Sequence, residues 1–293
     1  MATKGEYMRK IIIGLLAVLV CGSSAMAGRK DGMIQIKGSD TMVNLSQAWA
    51  EAFMQRSPDA VIAVTGGGSG TGISALINGT CDIAQASRSM TEKEVGLAKK
   101  NGHEPKECEV AIDALSVVVH PSNPVAKLTI DQLSDIYTGK ITNWKEIGGN
   151  DRQIVVLSRE RNSGTHVYFL EHVLRRGNAK GPEEYASGVL MMPSSQAIAD
   201  EVSSNPDAIG YFGLGYLTGK EKAIAVAKDS ASEYVSPGFD TASSGKYPVA
   251  RALLIYTDGE PKGAVKGFLD FVLSDDGQKI VKDLDFVPLP KKQ

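Results

Sequence analysis

The chain has 293 residues, of which 42% are hydrophobic, and its 32 basic and 34 acidic side chains give a formal charge of −2. This balanced composition, with no polybasic tract, excludes the usual electrostatic basis for binding nucleic acid or a membrane surface. The length exceeds what one hydrophobic core usually serves, so two domains are expected.

Residues 1–27 have the three-part plan of a secretory signal peptide. Basic side chains precede an apolar run at 11–20, which is too short to span a bilayer, and small residues follow it. Removing the segment takes away three basic and one acidic side chain, which moves the formal charge from −2 to −4. A periplasmic or otherwise exported protein that begins near Gly28 is predicted, and a lipoprotein anchored through Cys21 is the second interpretation.

Strands and helices are predicted to alternate along the rest of the chain. Apolar and β-branched runs predict strands at 33–37, 61–64, 82–86, 110–120, 154–157 and 249–256. Apolar residues at helical spacing predict helices between them, and Thr91 with Glu94 forms a capping-box pattern at the start of one. This alternation is typical of mostly parallel α/β sheets.

Two long extended segments, 110–120 and 249–256, indicate how the chain is divided. The helical segment after the second one is too small to fold alone, so we expect it to rejoin the first block. The predicted α/β fold therefore has lobe I, from 28–116 and 253–293, and lobe II, from 117–252, joined by two hinge strands.

The tripeptide Ser-Gly-Thr occurs twice, each time between an apolar strand and a predicted helix. The copies are Ser69-Gly70-Thr71 and, in the other lobe, Ser163-Gly164-Thr165, and Ser39-Asp40-Thr41 has a similar position. Backbone N–H groups, hydroxyls and helix dipoles at these places would converge beyond the strand ends, where α/β proteins bind ligands. Arg88 and Arg159 lie at or just past strand ends, and a guanidinium holds two oxygens at once. The pattern predicts a site for a small tetrahedral oxyanion.

Other interpretations of these motifs stay open. A glycine-rich turn is often only a turn, and Arg161 is either a solvated arginine or a further anion contact. Residues 70–75 match G-x-G-x-x-A, and an arginine after the next strand would suit an NADP-linked oxidoreductase. His166 follows Ser163 in the same helix and is expected at the surface or behind the site, not as half of a catalytic pair. A Walker A loop is excluded because no Gly-Lys pair is present at this loop, and no Cys/His cluster suggests a metal.

Two cysteines remain after the predicted signal peptide, Cys81 and Cys108. Each is predicted just before a strand, so both are expected at the sheet edge opposite the ligand. An exported protein meets oxidising conditions, and a disulfide between them is predicted, with two buried thiols as the alternative.

Seven segments carry a family resemblance, in chain order IKGSDTMVNLSQAWAEAF, TGGGSGTGISALINGTCDIAQASRSMTEKE, SVVVHPSNP, YTGKITNWKEIGG, SRERNSGTHVYF, AIGYFGLGYL and YPVARALLIYTDGEPKGAVKGFLDFVLSDDGQKIV. Together they resemble the phosphate-binding proteins of bacterial ABC-type phosphate transporters, over nearly all of the predicted mature chain. The resemblance implies a type II periplasmic-binding-protein fold, a two-lobed clamshell. It also implies a monomer that delivers phosphate to a membrane permease without catalysis, cofactor or metal.

The resemblance also assigns residues. The first family loop corresponds to Ser39, Asp40 and Thr41, the second to Ser69 and its neighbours, and the third to Arg159, Ser163, Gly164 and Thr165. One position differs from the family pattern. Arg88 occupies the place where the best-known branch of the family has an aspartate that accepts a proton from phosphate. Arg161 stands at a second acidic position, so the chain is similar to the shorter branch, with a more basic site.

Asp40 is the acid best placed to distinguish phosphate from sulfate. Phosphate carries at least one proton at neutral pH and sulfate carries none, so a carboxylate that accepts this proton favours phosphate. We expect Asp40 to lie against Arg88 and stay ionised. The alternative is that Asp40 only caps the following helix.

Other functions left open are a sulfate receptor, a phosphate-handling hydrolase and the NADP-linked oxidoreductase.

Overall fold

The structure is a computed structural model that describes residues 33–290. The predicted signal peptide therefore lies outside the described residues. Within 33–290, no helix is both long and apolar enough to cross a bilayer.

Strands and helices alternate as the sequence predicts. The strands are β1 (Met33–Gly38), β2 (Val61–Thr65), β3 (Ile83–Ala86), β4 (Pro105–Val119), β5 (Lys127–Thr129), β6 (Val155–Arg159), β7 (Leu190–Met192), β8 (Ala208–Gly213), β9 (Lys222–Ala223), β10 (Ala225–Ala227) and β11 (Ala250–Asp258). The helices are α1 (Val43–Arg56), α2 (Ser69–Ile77), α3 (Glu92–Lys100), α4 (Ile130–Tyr137), α5 (Gly164–Phe169), α6 (Ser195–Ser204), α7 (Phe239–Ser243), α8 (Gly263–Leu273) and α9 (Asp275–Asp283). The predicted capping box is confirmed, because the Thr91 hydroxyl accepts from the backbone N–H of Glu94 at the start of α3.

One curled sheet runs through both lobes in the strand order β2-β1-β3-β11-β4-β8-β6-β7. Pairing is parallel inside each lobe, where β1 lies between β2 and β3, and β6 lies between β8 and β7. β11 is antiparallel to both β3 and β4, and β4 is antiparallel to β8. The predicted parallel pairing is thus confirmed inside the lobes, and the two hinge strands depart from it.

The long strand β4 connects the lobes. Its residues from Pro105 to Ala114 pair with β11, and those from Leu115 to Val119 pair with β8. β4 thus changes partners close to the predicted boundary after residue 116. The bounds of the lobes themselves stay a prediction.

Each lobe has its own hydrophobic core. In lobe I, Trp49 of α1 and Phe268 of α8 are fully buried in one cluster with residues of β1 and β11. In lobe II, the rings of Phe169 and Tyr211 stack at 3.8 Å between centroids. Because α8 packs against α1, the C-terminal segment rejoins the first block as expected.

The predicted disulfide is not confirmed. Cys81 precedes β3 and Cys108 lies in β4, and β11 runs between these two strands. Two strand spacings amount to about 10 Å, beyond the roughly 7 Å that a disulfide allows between Cα atoms. The Cys81 thiol instead faces the carbonyl of Gly72, and the Cys108 thiol faces that of Glu109. The position of β11 between the two strands therefore separates the cysteines.

Candidate functional site

Buried hydroxyl groups from three loops meet at the sheet edge between the lobes. Ser39 follows β1, Ser69 begins α2 and Ser87 follows β3. The Ser39 hydroxyl donates to Ser87 Oγ at 3.0 Å, and the hydroxyl oxygens of Ser69 and Ser87 are 3.2 Å apart. Each of the three residues is no more than 2% exposed. The hydroxyl cluster, as we use the term, consists of Ser39, Thr41, Ser69, Ser87, Ser163 and Thr165.

Two glycines allow the backbones behind this cluster to approach closely. Gly38 has a φ of +139°, and a Cβ there would lie 2.1 Å from the carbonyl oxygen of Gln85. A Cβ on Gly72 would lie 2.3 Å from the carbonyl oxygen of Lys37. Glycine at these positions lets α2 and the loop after β1 pack directly against neighbouring backbone.

The two lobes are closed on each other at the predicted Ser-Gly-Thr loops. The hydroxyl oxygens of Thr41 in lobe I and Thr165 in lobe II are 3.0 Å apart. The backbone N–H of Gly70 donates across the cleft to the carbonyl of Asn162 at 2.9 Å. A Cβ on Gly164 would lie only 2.3 Å from Ser69 Oγ, so the two loops are in direct contact.

Asp40 forms an ion pair with Arg159 across the cleft. The Arg159 side chain is 2% exposed, and it also donates to Ser195 Oγ at 3.0 Å and to the carbonyl of Pro193 at 2.9 Å. The second Asp40 carboxylate oxygen accepts from the N–H of Gly67 at 3.2 Å. The expectation that Asp40 lies against Arg88 is therefore wrong, because the carboxylate meets the arginine of the opposite lobe instead.

Asp40 is also not the cap of the following helix. It is the first residue of a short 3-10 turn, Asp40–Met42, and Met42 precedes α1 with no side-chain hydrogen bond to the helix. Its carboxylate is thus used for the ion pair and the Gly67 contact.

Arg88 lies in a different contact from the one predicted. Two of its nitrogens donate to the carboxylate of Glu94 at 2.8 and 2.7 Å, and its side chain is 13% exposed. Burial raises the pKa of the Glu94 carboxyl, but hydrogen bonds from Arg88 and the Thr91 backbone outweigh this and leave the pKa lowered. The guanidinium is thereby fixed on α3, and among residues 33–290 no hydrogen bond joins it to the hydroxyl cluster.

Of the predicted residues Ser163, Thr71 and Arg161, one is buried and two are exposed. Ser163 is buried, and its hydroxyl accepts from the N–H of Thr165 at the start of α5. Thr71 is exposed, and its hydroxyl donates to the carbonyl of Gly67 at 2.6 Å. Arg161 is also exposed. The structure thus brings Ser163 into the hydroxyl cluster and leaves Thr71 and Arg161 outside it.

His166 lies behind the site and not at the surface. It is 6% exposed, its Nδ1 is 3.1 Å from Ser158 Oγ, and its ring stacks on that of Tyr185. Burial lowers the pKa of His166 to about 4, so the imidazole is neutral at physiological pH. Its Nδ1 faces Ser158 and not Ser163, which removes the arrangement of a catalytic pair.

Sequence reasoning missed a buried ion pair on the hinge strands. Arg251 of β11 donates to Asp113 of β4 at 3.0 Å, and the side chains are 3% and 0% exposed. Burial raises the pKa of Asp113, and the Arg251 charge opposes this rise. Arg251 also donates to Thr165 Oγ1 at 2.9 Å. The sequence does contain a signal for this pair, because each of the two apolar runs predicted as hinge strands includes a charged residue. A charge that is buried in a strand needs a partner of opposite charge.

The assembled groups suit a small oxyanion that carries a proton. Arg159 only donates hydrogen bonds, the Asp40 carboxylate only accepts them, and hydroxyls do both. A tetrahedral anion with several bare oxygens and one protonated oxygen would satisfy all three kinds of group in a buried setting. Among residues 33–290, no three His, Cys, Asp or Glu side chains are placed to hold a metal ion.

Comparison with known proteins gives a consistent result. Residues 23–276 match a family model described as a PBP superfamily domain. A Phosphate-binding protein PstS of Bacillus subtilis is 36% identical over 265 residues, with 89% of this chain and 82% of the relative covered. One of Pseudomonas aeruginosa is 31% identical over 278 residues, with 89% and 84% covered.

Solved structures with the same architecture come from similar proteins. A phosphate ABC transporter substrate-binding protein of Clostridium perfringens, solved with bound phosphate, has a TM-score of 0.79 and 36% identity, covering 88% of this chain and 100% of that one. An ABC-type phosphate transport receptor of Vibrio cholerae has a TM-score of 0.69 and 32% identity, with 88% and 100% covered. The names of these similar proteins describe them as binding proteins or transport receptors for phosphate.

Proposed function

Because this chain belongs to the PBP superfamily, with relatives named phosphate-binding protein PstS, we propose that it binds inorganic phosphate between its two lobes. It then delivers the ion to the permease of an ABC transporter, on the exported side of the membrane, and works as a monomer. It catalyses no reaction and needs no cofactor or metal.

The observation that carries the proposal is the buried Arg159–Asp40 pair beside the hydroxyl cluster. A guanidinium with 2% exposure supplies charge-assisted donors in a setting that water screens poorly. Asp40 supplies the acceptor for a phosphate proton and repels an anion that lacks one. The proposed contacts come from Ser39, Asp40, Thr41, Ser69, Arg159, Ser163, Gly164 and Thr165.

Three predicted residues are left out of the proposed contacts. The only donor of Gly70, its backbone N–H, is bonded to the carbonyl of Asn162. Arg88 holds Glu94 with two nitrogens, and a phosphate contact would have to compete with that pair. Thr71 is exposed and bonded to the carbonyl of Gly67.

Titration calorimetry with inorganic phosphate tests the proposal. We expect one phosphate per chain, and Arg159→Ala should weaken binding by roughly 10- to 150-fold, since a charge-assisted hydrogen bond contributes about 1.5–3 kcal/mol. Arg152→Ala is the matched control, because that arginine is exposed and paired with Asp207. Arg159→Ala also removes a buried ion-pair partner, so thermal unfolding is measured for both variants and binding is compared below the unfolding temperature of each.

Three outcomes would overturn the proposal. One is the absence of phosphate binding by the unmodified protein, and another is unchanged affinity in folded Arg159→Ala. The third is steady turnover of phosphate esters or of nicotinamide cofactors. Tighter binding of sulfate than of phosphate would replace phosphate with another tetrahedral oxyanion.

A further inference from the structure

One nitrogen of the buried Arg251 guanidinium has no hydrogen-bond acceptor among the described residues, and the guanidinium carbon lies 5.3 Å from the centre of the Tyr168 ring. Nε and Nη2 both donate to Asp113 Oδ2, at 3.3 and 3.0 Å. Nη1 is buried, and no atom of residues 33–290 accepts a hydrogen bond from it. Buried donors are nearly always satisfied, and an unsatisfied one on a charged group is costly. An acceptor from outside the chain, such as an oxyanion oxygen or a water molecule, would satisfy this donor.

The same guanidinium lies where the two lobes meet. Its Nη2 is 2.9 Å from Thr165 Oγ1 and 3.5 Å from Thr41 Oγ1, and these oxygens are 3.0 Å apart. Arginine only donates, so the threonine oxygens accept from it and their own protons point elsewhere. At most one of these protons is used between the threonines. At least one hydroxyl proton is thus left for a further acceptor beside Arg251.

An open space adjoins Arg251, and neither Thr41 nor Thr165 is in its wall. A cavity of about 630 Å³ is bordered by both lobes and the hinge, with Arg251 and Ser87 in its wall. Ser87 bonds to Ser39 and Ser69 of the hydroxyl cluster. Arg251 and Ser87 therefore belong both to the cavity wall and to the donor set at the closed cleft.

We propose that Arg251 donates from Nη1 directly to an oxygen of the bound oxyanion, and that Asp113 fixes the guanidinium in the orientation for this contact. The inference rests on the proposed phosphate-binding function and adds a residue of the hinge to the site. The ion pair is neutral as a whole, so it contributes a directed hydrogen bond without adding net charge to the cleft. Closure of the hinge then brings Thr41, Thr165 and Arg251 together on the same anion.

Titration calorimetry with inorganic phosphate separates this role from simple charge neutralisation. Arg251→Lys keeps the charge, but one ammonium group cannot serve Asp113, the threonines and the anion together, so we expect at least tenfold weaker binding. The double variant Arg251→Met with Asp113→Asn removes both charges and leaves no uncompensated carboxylate. We expect the same loss in the double variant, with thermal unfolding measured for every protein and Arg152→Lys as the control.

The outcomes separate this inference from the function on which it rests. Wild-type affinity in the folded double variant would show that Arg251 only neutralises Asp113 and would overturn the inference. Wild-type affinity in folded Arg251→Lys would overturn it equally. No phosphate binding by the unmodified protein would overturn the proposed function, and the inference with it.

Discussion

Gly164→Ala is expected to hold the lobes apart without unfolding either of them. The added Cβ would lie 2.3 Å from Ser69 Oγ and 2.7 Å from Ser87 Oγ, whereas ordinary contact begins at 3.4 Å. Ser69 is fully buried, so the loops must separate by about 1 Å. The substitution keeps the backbone N–H of residue 164, so a change in binding reports on closure and not on a lost donor.

The cost follows from the interlobe hydrogen bonds that this separation breaks. They are the Thr41–Thr165 pair at 3.0 Å and the Gly70–Asn162 bond at 2.9 Å. At about 0.5–1.5 kcal/mol each, their loss lowers phosphate affinity by roughly 5- to 150-fold. Calorimetry measures this loss, and small-angle scattering with phosphate should show a larger radius of gyration than the unmodified protein.

A control and a refuting result complete the test. Gly96→Ala places a Cβ in the exposed part of α3 with nothing within 4 Å, so it should bind phosphate normally and gain about 0.5–1 kcal/mol of stability. If Gly164→Ala binds phosphate as tightly as the unmodified protein and scatters as a closed molecule, the contact does not control closure.

Three further predictions concern selectivity and stability. Asp40→Asn should weaken phosphate binding and let sulfate compete in calorimetry; unchanged selectivity would place the proton acceptor elsewhere. The pKa of Glu94 is lowered in the folded protein, so its ion pair with Arg88 stabilises the fold at any pH above the unfolded pKa of about 4.3. This stabilisation is lost as pH falls through the lower, folded pKa. Glu94→Gln should therefore be less stable than the unmodified protein at pH 7 by chemical denaturation, and the difference should shrink as pH falls below about 4; a pH-independent difference would contradict this. Gly72→Ala should cost about 1–3 kcal/mol, since its Cβ meets the Lys37 carbonyl at 2.3 Å, and an unchanged unfolding temperature would show that α2 can shift.

Local chemistry made much of this fold predictable. The capping box at Thr91, the strand at Met33–Gly38 and the helices that begin at both Ser-Gly-Thr loops follow from residues close together in sequence. The convergence of the loops was also predictable, because the carboxyl ends of parallel strands lie at one edge.

Contacts between distant residues were not predictable in the same way. Arg88 and Arg159 both follow strands, and nothing local indicates that Glu94 takes the first and Asp40 the second. In the sequence, Arg251 is a single charged residue within an apolar strand. Only the register of β11 against β4 places it opposite Asp113. The same insertion of β11 between β3 and β4 separates the two cysteines.

The position of β11 also sets the order in which the chain can fold. Lobe II is built largely from one continuous stretch of sequence, whereas the sheet of lobe I has β11, Ala250–Asp258, between two strands that precede residue 120. Until that distant strand arrives, β3 and β4 present unpaired edges to each other, and closing so long a loop is slow. A chain that is synthesised from its N-terminus therefore completes lobe II first. The sheet of lobe I stays incomplete until nearly the whole chain is available.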